Sequence, residues 1–331
     1  MTGTVRGIIL HFQTREKRLT RLNIRSLKNP ALLLLTAFIW GVAFVAQKDG
    51  MAYVGPFTYN AVRSLVAGVF LLAILPVMDR LRSRGGNLVK GDKRTVLLGG
   101  AACGLCLFVA SNLQQYGIAL QAAGTNVGKA GFITACYVVL VPVLGLALGR
   151  KSPPLVWIGA AVALAGFFCL CLMDGLLSGQ GLGLGRSDLL LLLCAVAFSV
   201  HILTIDHFSP LADGVRISCV QFFVCGLLGL PCMFLFETPV WGDILDCAGP
   251  ILYGGVLSSG VAYTLQIVAQ KGVHPAVASL ILSLESVFSV LAGYVLTPAA
   301  GLSRWELFGC GLVFAAVVMV QLPAKERVKK S

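Results

Sequence analysis

Residues 121–148 read QAAGTNVGKAGFITACYVVLVPVLGLAL, and residues 270–296 read QKGVHPAVASLILSLESVFSVLAGYVL. The two stretches begin 149 positions apart. Each opens on a polar turn and then runs through more than twenty mostly apolar residues. Each also carries a charge where a lipid-facing helix should have none: Lys129 in the first and Glu285 in the second. An apolar span, an internal echo and a charge inside it set the reading of the whole chain.

The rest of the composition agrees with a lipid solvent. The chain has 331 residues, is 57% hydrophobic and 12% charged, with a mean hydropathy of +0.87. A water-soluble domain carries about 25% charged residues. Crossing the hydrocarbon core takes roughly 20 apolar residues in a helix. Windows of that size predict ten spans: 30–47, 56–78, 95–116, 125–148, 155–173, 187–205, 214–236, 248–269, 275–296 and 303–322. In lipid the backbone must satisfy its own polar groups, so such spans are helices. A β-barrel would need ten-residue segments of alternating polarity, and the runs here are continuous.

The net charge of +12 does not point to nucleic acid. With both termini in the cytoplasm, the inner segments hold 21 of the 26 Lys and Arg. The outer loops hold Lys48, Lys129, Arg186 and Arg304, and Arg63 lies within a span. This is the positive-inside bias, split among short loops rather than gathered on one face. It fixes both termini in the cytoplasm, and the expected location is the bacterial inner membrane, as a multi-pass chain. The eleven cysteines lie mostly inside spans. Cys103 and Cys106 form a CxxC with no second set beside it, so they read as small apolar packing residues, with no metal and no cofactor expected.

Residues 1–29 are basic and read as a cytoplasmic tail lying on anionic lipid, or as the result of a start codon placed too early. The basic part is too long for a signal peptide and no cleavage pattern follows. Pro56 suits the first turn of the second span, and Arg63 then lies about 10 Å down it. Ser111, Asn112, Gln114, Gln115 and Tyr116 cluster near the outer end of the third span, where amides need partners or water. Thr125 and Asn126 can cap the fourth, and Pro142 should disturb its hydrogen-bond ladder. The stretch GLLSGQGLGLG, 175–185, reads as a flexible linker. Asp188 suits the start of the sixth span, and His201 lies about 20 Å into it. Glu285 comes about 15 Å into the ninth, at the bilayer midplane.

The echo extends beyond the opening pair. LLLLTAFIW at 32–40 resembles LLLLLCAVAF at 189–198, and VAQK occurs at both 45–48 and 268–271. Each half has five spans. Five is odd, so the second half enters the membrane upside down. The domain plan is therefore a first repeat at 30–174, a linker at 175–186, a second repeat at 187–322 and a basic tail at 323–331. Inverted repeats build many secondary transporters, with the site near the midplane at the repeat interface.

WGVAFVAQK at 40–48, GPFTYNAVR at 55–63, YVVLVPVLGLALGR at 137–150, SDLLLLLCAVAFSVHIL at 187–203 and SLILSLESVF at 279–288 together resemble the EamA family of the drug/metabolite transporter superfamily. The resemblance covers roughly residues 30–322. It implies ten helices in two inverted repeats, movement of small metabolites, and a central cavity lined by spans 1–4 and 6–9, with 5 and 10 peripheral. The sequence departs at Ser286, where the family often has proline after the glutamate. A kink in the ninth span is therefore not assured.

The candidate residues for substrate binding or coupling are Glu285, Lys129, His201, Arg63, Gln114, Gln115, Gln266, Trp40 and Tyr263. A midplane carboxyl costs several kcal/mol unless paired, hydrated or protonated. Glu285 can carry a proton, meet a cationic group, or form a structural ion pair with Arg63 or Lys129. Lys129 can bind a carboxylate or snorkel to the interface. His201 can relay protons or serve as a hydrogen-bonded interior residue. Gln114, Gln115 and Gln266 can meet substrate or tie helices together, and Trp40 and Tyr263 can stack on substrate or pack. No HExxH and no GxSxG occurs, so an intramembrane enzyme is disfavoured. No ATP-binding motif occurs, so motion is passive or ion-driven. The expected function is alternating-access transport of small organic metabolites, amino-acid-like or drug-like, in the export direction and coupled to protons. A scaffold or receptor is the rival. The expected partners are a small-molecule substrate and the lipid bilayer, and a homodimer is compatible with the sequence.

Overall fold

In the computed structural model, residues 27–84, 92–121, 127–177, 185–296 and 303–321 are described. The basic tail up to residue 26, the Thr125–Asn126 cap, most of the glycine-rich linker and the C-terminal tail lie outside them. The described chain is helical, with no strand among those residues.

Nine of the ten expected spans are helical stretches long and apolar enough to cross a membrane. They are α1 (Leu27–Gly50), α2 (Pro56–Arg84), α3 (Lys93–Ala119), the pair α4 (Gly128–Ala135) and α5 (Tyr137–Ala147), then α8 (Arg186–Phe208) and α9 (Gly214–Phe236). Next come α11 (Ala248–Leu252), a π-helical stretch (Tyr253–Tyr263) and α12 (Thr264–Gln270), which together form one span. The pair α13 (Pro275–Leu282) and α14 (Glu285–Leu296) and finally α15 (Arg304–Gln321) complete the nine. The remaining expected span is the shorter α6 (Pro154–Cys171). Two short helices, α7 (Met173–Leu177) and α10 (Trp241–Asp246), lie between spans.

The starts of these helices follow from local chemistry. Asp213 Oδ1 accepts from the amides of Val215 and Arg216 at 3.0 and 3.1 Å and so caps α9. Ser303 and Glu306 exchange bonds at 3.0 and 2.8 Å ahead of α15, a capping box. Glu237, just past α9, takes up the free amides of α2: Phe57 and Thr58 each donate to it at 2.8 Å. That carboxylate joins the C-terminal end of α9 to the N-terminal end of α2.

The helices pair in a definite order. Span 2 packs on span 7 through α2 and α9, span 4 on span 9 through α4 and α14, and span 5 on span 10 through α6 and α15. Span 3 lies against spans 6 and 7 through α3, α8 and α9, while span 2 also lies against span 8. Span 1 is bonded to span 8, where Thr36 Oγ1 donates to the Ala262 carbonyl at 3.3 Å and Trp40 Nε1 to that of Ser258 at 3.2 Å. Close approach depends on small residues, as in membrane helix packing generally. A Cβ at Gly166 of α6 would stand 2.9 Å from the Gly309 carbonyl oxygen of α15. A Cβ at Gly131 of α4 would stand 2.6 Å from Ser289 Oγ of α14.

Candidate functional site

Two spans are interrupted near their centres. Span 4 breaks at Cys136, between α4 and α5. The Cys136 amide bonds back to Ile133 at 3.2 Å and the Val139 amide to Cys136 at 3.1 Å, a local tightening to three-residue turns. Pro142 lies one and a half turns further on, inside α5. Its ring opposes the carbonyl four residues earlier, which accounts for a weakened ladder ahead of it. Span 9 breaks at Ser283 and Leu284, between α13 and α14, without any proline. Serines carry this break. The hydroxyls of Ser279, Ser283, Ser286 and Ser289 donate to carbonyls three residues back, at 2.7 to 2.9 Å. Such bonds compete with the helical ladder and bend it. The α-helix of span 9 is thus interrupted by tightened turns, Leu284 to Ile281 and Ser286 to Ser283, each at 3.2 Å, although no proline follows the glutamate.

The two breaks meet. Tyr137 is the first residue of α5 and Glu285 the first of α14, and the tyrosine hydroxyl donates to Glu285 Oε1 at 3.0 Å. A carboxylate at a helix N-terminus is favoured by the dipole. Glu285 is 4% exposed and lines a central cavity. Its partner is thus a neutral hydroxyl. Replacing Tyr137 by Phe leaves a buried carboxyl oxygen without its donor, at an expected cost of about 1–3 kcal/mol. A lower unfolding midpoint of the purified protein in detergent checks this; an unchanged midpoint contradicts it.

Six of the nine candidate residues line this cavity: Trp40, Arg63, Gln114, Tyr263, Gln266 and Glu285. Arg63, also 4% exposed, donates from Nε to Asn60 Oδ1 at 2.8 Å. Asn60 is held in turn by Ser111 and Asn112, each at 3.0 Å, so part of the amide cluster of span 3 serves to brace the arginine. Arg63 and Glu285 face one cavity but do not form an ion pair. Trp40 and Tyr263 lie with ring centroids 4.5 Å apart, an aromatic pair that forms one wall. Gln114 donates to Thr134 Oγ1 at 3.4 Å. Gln266 Oε1 is buried with no protein partner, as is Gln47 Oε1 on the same cavity.

The other three candidates stand apart from the lining. Lys129 pairs with Asp188 at 3.0 Å, from the start of α4 to the start of α8, and does not line the cavity. Asp188 also accepts from the Gly185 amide at 3.0 Å, as its place at a helix start predicts. Charge reversal at either member should impair transport, and the exchanged pair Lys129→Asp with Asp188→Lys should restore it. Uptake by the three variants measures this, and failure of the exchange to rescue contradicts a pairing role. His201 is fully buried; its Nε2 meets Gln221 Oε1 at 2.9 Å and its ring lies edge-on to Tyr263 at 5.9 Å, behind the cavity wall. Gln115 Nε2 donates to the Gln47 carbonyl at 3.0 Å, tying span 3 to span 1.

The lining also includes residues that sequence reasoning passed over, notably Gln47, Tyr137, Phe198 and Ser258. For Tyr137 a signal exists: the 149-residue offset sets it beside Ser286, next to Glu285. Lining side chains come from spans 1–4, 6, 8 and 9 and, among the described residues, none from span 7, one fewer than the family resemblance implies. The π-helical stretch of span 8 shapes this wall. Gly254 and Gly255 let it press against α2, where a Cβ at Gly255 would stand 2.9 Å from the Arg63 carbonyl oxygen. The Ser258 carbonyl in this stretch also accepts from Trp40 Nε1 at 3.2 Å, and π-turns are frequent at functional sites. The cavity has about 20 Å³ of free volume, room for roughly one water.

Comparison with known proteins agrees with this architecture. The description of the EamA-like transporter family matches residues 28–172 and 185–322. An uncharacterized transporter of Archaeoglobus fulgidus is 30% identical over 291 residues, covering 88% of this chain and 84% of its own. The uncharacterized inner membrane transporter YedA of Escherichia coli K12 is 28% identical, covering 86% and 87%. A WAT1-related chloroplastic protein of Arabidopsis thaliana is 25% identical, covering 88% and 69%. A crystal structure at 20% identity superposes with a TM-score of 0.67 over 88% of this chain and 96% of that one, a likeness of fold. With a family match across both halves and a bilayer-length set of apolar helices around a polar cavity, this chain belongs to the EamA-like transporter family of multi-pass membrane transporters.

Proposed function

We propose that this transporter exports zwitterionic, amino-acid-like metabolites by alternating access, with proton movement through Glu285. The observation that carries the reading is the pair of opposite charges in one cavity that are not spent on each other. Arg63 offers a guanidinium suited to a carboxylate. Glu285 offers a carboxylate to an ammonium group, and the unpartnered oxygens of Gln47 and Gln266 add acceptors beside it. Trp40, Tyr263 and Phe198 supply apolar surface for a side chain. When a proton occupies Glu285 its pull on the ammonium weakens, so proton binding and substrate release are linked on that group.

In this reading ten spans form two inverted five-span halves, 30–174 and 187–322, with both termini in the cytoplasm and a bacterial inner-membrane location. The separate family matches to 28–172 and 185–322 support it. The pairing order supports it further: a twofold axis in the membrane exchanges spans 1 with 6, 2 with 7, 3 with 8, 4 with 9 and 5 with 10. It maps the 2–7, 4–9 and 5–10 contacts onto themselves, and swaps 3–6 with 8–1 and 3–7 with 8–2, all of which are present. The interrupted spans 4 and 9 are the discontinuous helices that such carriers place at their sites.

Purified protein in proteoliposomes tests the function. Saturable exchange of a labelled neutral α-amino acid is expected, with little exchange of the matching amine or the matching carboxylic acid. Equal exchange of amine and amino acid would remove the role given to Arg63, and no exchange of any of the three would remove the substrate class.

A further inference from the structure

A groove of about 710 Å³ opens on the outside of the bundle between α3, α5 and α8. That volume lies within the roughly 300–1,000 Å³ of ordinary ligand sites. Most of its wall is apolar: Ala102, Leu144, Ala147, Leu148, Val200 and Leu203. The polar lining residues are Arg150, Thr204 and His207. All three stand toward the C-terminal ends of α5 and α8, so the groove has an apolar body and one basic end.

Charge at that end is arranged outward. Arg150 pairs with Asp206, but its side chain is 38% exposed against 13% for the carboxylate. The acid is the more deeply buried member of the pair. His207 is exposed on the same groove, and Lys151, also exposed, follows Arg150 in the chain. Basic pockets between membrane helices at the interface suit phospholipid head groups. An arginine fork matches phosphate oxygens, and the run of Leu144, Leu148 and Val200 matches a hydrocarbon chain laid along the helices.

We propose that this groove binds an anionic phospholipid, with its phosphate on Arg150, Lys151 and His207 and an acyl chain along α5 and α8. The site lies outside the central cavity and does not depend on the substrate proposed above.

The full-length protein, delipidated in detergent, is titrated with phosphatidylglycerol, phosphatidylcholine or glycerol phosphate, and bound lipid is read by native mass spectrometry. Phosphatidylglycerol should be retained more tightly than phosphatidylcholine, and glycerol phosphate should not displace it. Lys151→Gln keeps the Arg150–Asp206 pair and should weaken phosphatidylglycerol about fivefold, the worth of one basic residue near a lipid surface. Ala147→Trp fills the groove at an exposed position without touching a charge and should abolish retention of either lipid. Equal retention of the two lipids by the unmodified protein overturns the proposal, as does wild-type retention by Lys151→Gln or Ala147→Trp. Displacement by glycerol phosphate replaces it with a soluble-phosphate site.

Discussion

Glu285→Gln is expected to abolish proton-driven transport while leaving the protein folded. The amide keeps an oxygen for the Tyr137 hydroxyl, now 3.0 Å from the carboxylate, and it fits the same buried space. It cannot take or release a proton, and it offers no charge to an ammonium group. Accumulation driven by a pH gradient should fall to the level of protein-free liposomes, with elution and unfolding midpoint close to wild type. Glu285→Ala should lose transport as well, with added instability from the unpartnered tyrosine. Transport abolished by Ala but retained by Gln would end the case for proton coupling through this residue. It would still leave the side chain a polar role.

The second large effect is structural and acts at the same place. A Cβ on Gly41 of α1 would stand 2.3 Å from Phe288 Cβ and 2.9 Å from the Glu285 carbonyl oxygen. Neither atom is the end of a flexible side chain, so the helices themselves must part. Overpacking a fitted interior costs about 1–3 kcal/mol or more, and here the displaced backbone is the one that carries Glu285. Gly41→Ala should therefore lower the yield of monodisperse protein and remove transport from what survives. Gly311→Ala, where a Cβ meets nothing within 4 Å, is the matched control and should be neutral or mildly stabilising. Similar behaviour of the two variants would show that α1 and α14 are not packed as described.

Much of this architecture was readable in the amino-acid order because lipid is a strict solvent. A run such as 187–205 admits one reading when the backbone has no water to bond, and so the spans stand where hydropathy placed them. Glu285 was legible for the same reason, since a carboxyl among leucines needs a cause. The site's finer geometry was less so. Lys129 and Glu285 look alike as charges in apolar spans, but one lies near a helix start with Asp188 in reach and the other deep in the bundle. Depth in the span already separates them, and the packing of α4 on α8 supplies the partner that sequence could not name. Tyr137 is one aromatic in an apolar run, and only the repeat offset that sets it beside Ser286 hints at the Glu285 contact that the two breaks bring about. The break in span 9 was hidden because proline is the familiar cause and four serines the actual one. The π-helical turn at 253–263 depends on Gly254, Gly255 and Gly260 fitting against α2, a tertiary fact that local pattern does not carry.

Equivalent loops in the two halves offer the sharpest test of the whole account. A small tag inserted between residues 85 and 91, and another at residues 242–246 in the short helix α10, mark the connections after the second and seventh spans. In sealed, right-side-out vesicles an impermeant reagent should reach only the second tag, and in inverted vesicles only the first. Labelling of both tags from the same side would contradict two oppositely oriented halves, and with them the shared cavity that places Arg63 opposite Glu285.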